Sequence, residues 1–134
     1  MTVATIDRTT IGVVDDDAAV RRGLERLLNA CGYHVETYQS AREFLDHSGM
    51  NTADCILLDV RMPGMSGIDL YRRLTRERYQ LPTVFISAHA TQSAFGNPAP
   101  PTPRLLMKPF DEDALLAAIQ DALQDTPIVR PRGR

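Results

Sequence analysis

The order of patterns along the 134-residue chain predicts an α/β fold, a parallel sheet with helices on both faces. Three observations carry that prediction. Five short apolar runs recur: Ile11-Gly12-Val13-Val14, His34-Val35-Glu36-Thr37, Cys55-Ile56-Leu57-Leu58, Thr83-Val84-Phe85-Ile86 and Arg104-Leu105-Leu106-Met107. Segments of helical period lie between them. Four of the runs are too continuous for strands wetted on one face and read as strands buried on both.

Each element has a local reason. The second run alternates apolar and polar residues, which suits an edge strand. From Ala18 to Ala30, Val20, Leu24, Leu27 and Leu28 repeat at helical spacing, with Asp17 placed to cap the start and Gly32 just past the end. Ser40-Ala41-Arg42-Glu43 reads as a capping box, opening a helix that turns Phe44 and Leu45 inward. Ser66 can cap a third helix with Ile68, Tyr71 and Leu74 on one face. Another helix starts at Asp111 and buries Leu115, Ile119 and Leu123. Between the fourth and fifth strands a regular alternation requires a helix, yet Ala88 to Pro103 holds four of the chain's nine prolines within Pro98–Pro103. A proline in a helix interior costs about 3 kcal/mol, so at most a turn of helix is expected, around Gln92 to Phe95.

Length fits one domain, predicted over residues 11–124, with an extension over 1–10 and an Arg-rich tail over 125–134 expected to be disordered. At 43% apolar and 24% charged residues, the composition is that of a globular protein. No run approaches 18 apolar residues and no signal-peptide pattern opens the chain, so a cytoplasmic protein with no membrane contact is expected. Fifteen basic against 17 acidic residues leave no general footprint for nucleic acid. The tail alone, with Arg130, Arg132 and Arg134, is basic enough to dock an acidic partner or nucleic acid. Cys31 and Cys55 lie apart within apolar segments and read as buried thiols. Fourteen of the basic residues are arginine; Lys108 is the single lysine.

The chemistry sits where the runs end. Val14 is followed by Asp15, Asp16 and Asp17, Leu58 by Asp59, Ile86 by Ser87, and Met107 by Lys108. Ligands of an open parallel sheet bind beyond the carboxyl ends of its strands. Asp15, Asp16, Asp59, Ser87 and Lys108 are therefore candidates for one site. Clustered carboxylates repel, by roughly 4 kcal/mol per pair at 4 Å and an effective dielectric near 20, so such a cluster takes up protons or recruits cations. Lys108 is one cation; Mg²⁺, a hard ion that prefers oxygen ligands, is another. Each residue also has an ordinary reading. The triple aspartate can be a loop and helix cap, Asp17 a cap alone, and Asp59 the start of the turn at Met62-Pro63-Gly64. Ser87 can be a plain strand-end hydroxyl and Lys108 a solvated turn residue.

Together these residues resemble a known family. Val13-Val14-Asp15-Asp16-Asp17, the stretch Leu57 to Gly67, Phe85-Ile86-Ser87-Ala88-His89 and Lys108-Pro109-Phe110 are similar to the receiver domain of bacterial two-component response regulators, most of all receivers of nitrogen-fixation and nitrate regulators. The resemblance implies a flavodoxin-like, doubly wound sheet of order 2-1-3-4-5. It implies that Asp59 is the phosphorylated aspartate, charged by a sensor histidine kinase or a histidine phosphotransfer protein. Mg²⁺ would be held by Asp16, Asp59 and the backbone carbonyl of Arg61, with Asp15 acting through water. Ser87 would be the switch hydroxyl, and Lys108 the lysine that pairs with the aspartate and then the phosphoryl oxygen, in a cis Lys108–Pro109 turn. Arg61 and His89 occupy positions that tune hydrolysis, although His89 is equally a solvated loop residue.

Two departures from the family pattern stand out. The proline-rich stretch replaces the fourth helix, and Leu105 stands where the family carries a switch aromatic. A dimer through the fourth-helix face is therefore not expected. With no DNA-binding domain after Leu123, the chain is expected to be a stand-alone or excised receiver that acts by protein–protein contact or as a phosphorelay intermediate, not an enzyme but a phosphoacceptor promoting its own phosphorylation and dephosphorylation. Two other functions remain. One is a binding module independent of phosphorylation. The other is a Mg²⁺-dependent phosphatase, disfavoured because Arg61 stands where a second acid is needed and no Gly-rich phosphate loop is present.

Overall fold

The structure, a computed structural model, describes residues 8–88 and 104–131. Nine regular elements are present among them: β1 (Thr10–Val14), α1 (Ala18–Ala30), β2 (His34–Tyr38), α2 (Ala41–Asp46), β3 (Cys55–Asp59), α3 (Gly67–Arg76), β4 (Thr83–Ser87), β5 (Arg104–Met107) and α4 (Glu112–Asp125). A short 3₁₀ turn, Gly49–Asn51, lies between α2 and β3. The strands form one parallel sheet of order β2-β1-β3-β4-β5, the order expected from the resemblance. β2, read from its alternation as an edge strand, lies at one edge. β1 starts at Thr10, one residue inside the expected extension, because Asp54 Oδ2 accepts the Thr10 N–H at 2.9 Å.

Alternate residues of each central strand enter different cores. Ile56, Leu58 and Phe85 pack with Phe44, Leu70 and Leu74 from α2 and α3. Cys55, Leu57, Val84 and Ile86 pack with Leu24, Leu28, Leu115 and Ile119 from α1 and α4. Wetting neither face explains why β3 and β4 are buried from end to end. Each buried Leu, Ile or Phe contributes roughly 1.5–3 kcal/mol, so the strands that carry Asp59 and Ser87 belong to the most stable part of the molecule.

The helix starts follow local chemistry. Asp17 Oδ1 accepts from Ala19 N and Val20 N, so this aspartate is the cap of α1. Gly32 takes the left-handed φ of +96° needed where the chain leaves α1. Ser66 and Asp69 form a complete capping box on α3. On α2 the Ser40 cap is present, but the Glu43 carboxylate accepts from Gln39 N instead of the Ser40 N–H. Asp111 occupies the N-cap position of α4 without a side-chain cap bond. Leu123 is only partly buried, with Ala118 and Ala122 completing the inward stripe of α4.

One expectation is corrected. Cys55 is buried, but Cys31 is exposed. The helix ends at Ala30, as its pattern predicts, so Cys31 is the C-cap just outside it and not a member of the buried stripe of Leu24 and Leu28. Of the tail expected to be disordered over 125–134, residues 125–131 are among those described and are held in place. Asp125 completes α4, and residues 126–131 cross the amino ends of the strands. Gln80 and Val129 exchange two backbone hydrogen bonds of 2.8 Å. The Arg130 guanidinium donates to the carbonyls of Met50 and Ala53 at 3.0 and 2.6 Å. Backbone acceptors left open by the 3₁₀ turn thus hold the segment, an arrangement invisible in local composition. The expected loss of the fourth helix falls on residues 89–103, outside the described residues.

Candidate functional site

The site lies at the carboxyl ends of β1, β3, β4 and β5. In the order 2-1-3-4-5 the winding direction reverses between β1 and β3, which opens a crevice there. Asp15 follows β1 and Asp59 ends β3, so the topology sets them on either side of that crevice. Carboxylate oxygens of Asp15, Asp16 and Asp59 all lie within 4.8 Å of one another. Lys108, just past β5, reaches in from the other side. Its Nζ is 3.0 Å from Asp15 Oδ2 and 3.8 Å from Asp59 Oδ2. Its backbone N–H donates to the Ser87 carbonyl at 2.7 Å, tying β5 to β4 where Ser87 emerges. The Lys108–Pro109 bond is cis, as the resemblance implies.

Asp15 is the most constrained of the acids. It is fully buried, its Oδ1 accepts from Asp17 N at 2.9 Å and its Oδ2 accepts from Lys108. Asp16 is exposed. Asp59 is almost buried and accepts a long bond of 3.4 Å from Arg61 N. Burial and the charge of Asp15 push the Asp59 carboxyl up to about 7, against the opposing pull of Lys108 and the Arg61 N–H. Burial pulls the Lys108 ammonium down, but its bond to Asp15 and the charges of Asp15 and Asp59 outweigh that and leave its pKa raised.

One ammonium thus faces three carboxylates, and Asp59 keeps an affinity for protons near neutrality. A further cation would relieve this. The donors are oxygens only, two of them on a nearly dry floor and the third, Asp16, facing solvent. That set fits a hard divalent ion which retains part of its water, so the residues present fit Mg²⁺. Asp17 is not in the cluster.

The remaining candidates are placed less centrally. Ser87 is buried at the end of β4, beside Ile86, the register partner of Asp59. Arg61 is exposed, with its backbone beside Asp59. His89 lies outside the described residues. Leu105 pairs in register with Phe85 and packs, partly buried, against the core that holds Tyr71. Tyr71 and Phe85 meet edge to face at 5.5 Å.

Two residues that sequence reasoning did not single out support the site. Arg21 Nη1 donates to the Asp15 carbonyl at 2.7 Å. Nothing in the sequence separates it from Arg22 beside it, because only the helix phase decides which arginine reaches back. Gly67 packs on the Asp59 backbone so tightly that a Cβ would lie 2.1 Å from the Asp59 carbonyl oxygen. A glycine directly after a capping serine was the available signal.

Comparisons with known proteins agree with this geometry. The family model described as "Response regulator receiver domain" matches residues 11–120. The chain is 39% identical over 120 residues to the response regulator protein TmoT of Ectopseudomonas mendocina, covering 89% of this chain and 54% of that protein. It is 36% identical to the DNA-binding transcriptional regulator NtrC of Klebsiella pneumoniae over 115 residues, covering 83% of this chain and 24% of that protein. Among solved structures, that of the response regulator StyR superposes with a TM-score of 0.73 at 44% identity, covering 88% of this chain and 60% of that one.

The chain therefore spans about half the length of TmoT and a quarter of NtrC. This corrects the expected partners of a stand-alone or excised receiver, which left a DNA-binding domain out. Its relatives are longer proteins that include a DNA-binding transcriptional regulator. Among the described residues no helix is long and apolar enough to cross a membrane. The matched span, the strand order and the acidic crevice all agree: this chain belongs to the response regulator receiver domain family.

Proposed function

We propose that Asp59 accepts a phosphoryl group from a histidine kinase or a histidine phosphotransfer protein, and that this state controls a transcriptional output of the kind the longer relatives are named for. One observation carries the reading: carboxylate oxygens of Asp15, Asp16 and Asp59 converge within 4.8 Å of one another, and Lys108 Nζ, from a third strand end, lies 3.0 Å from Asp15 and 3.8 Å from Asp59. An Asp59 carboxylate oxygen attacks the phosphorus of a phosphohistidine. The P–N bond breaks, and the electron pair leaves with the imidazole, which takes up a proton. The product is an acyl phosphate on Asp59. Asp16, Asp59 and the Arg61 carbonyl, with Asp15 acting through water, would hold Mg²⁺, which would neutralise charge on the transferring oxygens.

The protein's own groups do the rest. Asp15 holds Lys108, so the ammonium stands ready at the side of Asp59 where phosphoryl oxygens arrive. The Ser87 hydroxyl, one strand away, turns to the phosphoryl group as the switch, and with Leu105 in the aromatic position that movement is passed on without ring rotation. Arg61, beside the acceptor, tunes the lifetime of the acyl phosphate. The chain acts on no separate substrate and promotes its own phosphorylation and dephosphorylation, in the cytoplasm where such kinases present their phosphohistidine. An apolar groove of about 500 Å³ beside Lys108, lined by Val20, Leu24, Leu27, Pro109 and Phe110, supports docking of a protein donor next to the acceptor.

Incubation with acetyl phosphate and Mg²⁺, followed by intact mass, tests the reading. Wild type gains one base-labile phosphoryl group and Asp59→Asn gains none. A wild-type protein that neither binds Mg²⁺ nor gains mass is instead a phosphorylation-independent binding module.

A further inference from the structure

We propose that Arg21 is a positioning residue for Asp16, an inference that rests on the Mg²⁺-dependent reading of the site. Asp15 is held at four points: its N–H by the Tyr38 carbonyl, Oδ1 by Asp17 N, Oδ2 by Lys108 and its carbonyl by Arg21. Asp16 has no such support. It is exposed, and its carboxylate makes no hydrogen bond among the described residues. Only the backbone fixes where its side chain starts.

The peptide plane joining Asp15 to Asp16 carries the Asp15 carbonyl, and that carbonyl is the acceptor of the 2.7 Å bond from Arg21 Nη1. A peptide plane is rigid, so fixing its oxygen fixes where the Asp16 Cα begins. Arg21 is itself anchored, because its backbone N–H donates to the Asp17 carbonyl in the first turn of α1. The helix start and the acidic turn are thereby locked together through one side chain. Groups that orient a metal ligand without touching the metal change affinity by about 10–100-fold when removed.

Charge and geometry predict opposite effects for the loss of Arg21. Arg21 is a cation near a cation site. If it acted only through its charge, removing it would tighten Mg²⁺ binding. If it positions Asp16, removing it weakens Mg²⁺ binding despite the lost repulsion. Mg²⁺ affinity is measured by calorimetry on Arg21→Gln and on Arg21→Lys, which keeps the charge on a shorter, unforked side chain. Acetyl phosphate uptake is then followed against Mg²⁺ concentration.

The expected result is an Mg²⁺ dissociation constant about tenfold higher for Arg21→Gln, with the uptake rate at saturating Mg²⁺ close to that of wild type. Partial recovery in Arg21→Lys supports the bond as the cause. Unchanged or tighter Mg²⁺ binding in Arg21→Gln overturns the proposal, as does a lowered melting temperature with unchanged affinity in both variants, which marks a purely structural anchor. A wild-type protein that takes up no Mg²⁺ removes the underlying reading itself; wild-type binding with unaltered variants removes only the role of Arg21.

Discussion

Lys108 stands nearer to Asp15 than to Asp59, at 3.0 against 3.8 Å. The closer contact goes to the fully buried acid, and the longer one leaves the ammonium able to shift toward whatever arrives at Asp59. A compact ammonium can serve both oxygens from one point. A guanidinium is a planar fork that needs a wider slot, and this crevice already holds three carboxylates. In a chain with fourteen arginines, the one lysine stands at this crevice.

Lys108→Arg therefore keeps the charge yet slows phosphoryl uptake from acetyl phosphate by about 10–100-fold, less than the loss for a removed transition-state donor. Initial rates at saturating Mg²⁺ provide the check. A rate equal to wild type sinks the steric argument.

In metal-free protein, Asp59 makes stability depend on pH. Its folded carboxyl is raised from the ordinary 3.8 to about 7, so the folded state holds this proton at pH values where the unfolded chain has released it. The contribution is fully present below about pH 4 and is lost as pH rises through about 7. Asp59→Asn cannot lose that proton. Melting in EDTA should show the variant gaining several degrees over wild type at pH 8 and much less at pH 5. Parallel melting curves across that range would refute the assignment.

Two glycines should respond to alanine with opposite signs. At Gly67 the new methyl carbon would lie 2.1 Å from the Asp59 carbonyl oxygen, so α3 or the end of β3 must move. Overpacking of this kind costs about 1–3 kcal/mol, and here the shift also disturbs the acceptor. Gly23, exposed within α1, has nothing within 4 Å of the position its methyl carbon would take. Gly23→Ala should gain about 0.5–1 kcal/mol from helix propensity. Urea denaturation of both variants compares the two directly.

Arg130→Ala should release the segment that follows α4. The side chain satisfies the carbonyls of Met50 and Ala53 and lies 3.8 Å from Asp54. Its loss should cost about 1–2 kcal/mol, and hydrogen exchange at the Gln80 and Val129 amides should quicken relative to the core strands. Unaltered protection at both amides would show that the bridge holds without the arginine.

Much of this was legible in the sequence, for reasons that can be named. Val13, Leu57 and Ile86 lie in runs without polar interruption because their strands are covered on both faces, and that burial leaves a direct signature in residue order. Asp17 and Ser66 announce helix starts because a cap acts on amides two or three residues away. The strand-end set of Asp15, Asp59, Ser87 and Lys108 was legible because each member directly follows or ends a core run. Local chemistry misled at Glu43, whose carboxylate found Gln39 N, and at Cys31, an apolar neighbour of the helix that sits at its exposed C-cap.

What the sequence determined by itself was thus what depends on near neighbours: element type, helix starts, strand burial and the residues available at strand ends. Tertiary structure decided which of those residues meet. Lys108 lies 93 positions from Asp15 and Arg130 lies 77 from Ala53, and no local propensity connects them. Parallel strands align their carboxyl ends whatever the length of chain between them, so the winding of the sheet, and the reversal between β1 and β3, assembles the crevice. The choice of Arg21 over Arg22, the seat of Gly67 on Asp59 and the anchoring of the tail follow from that assembly alone, because each is a contact between surfaces that exist only after the sheet has formed.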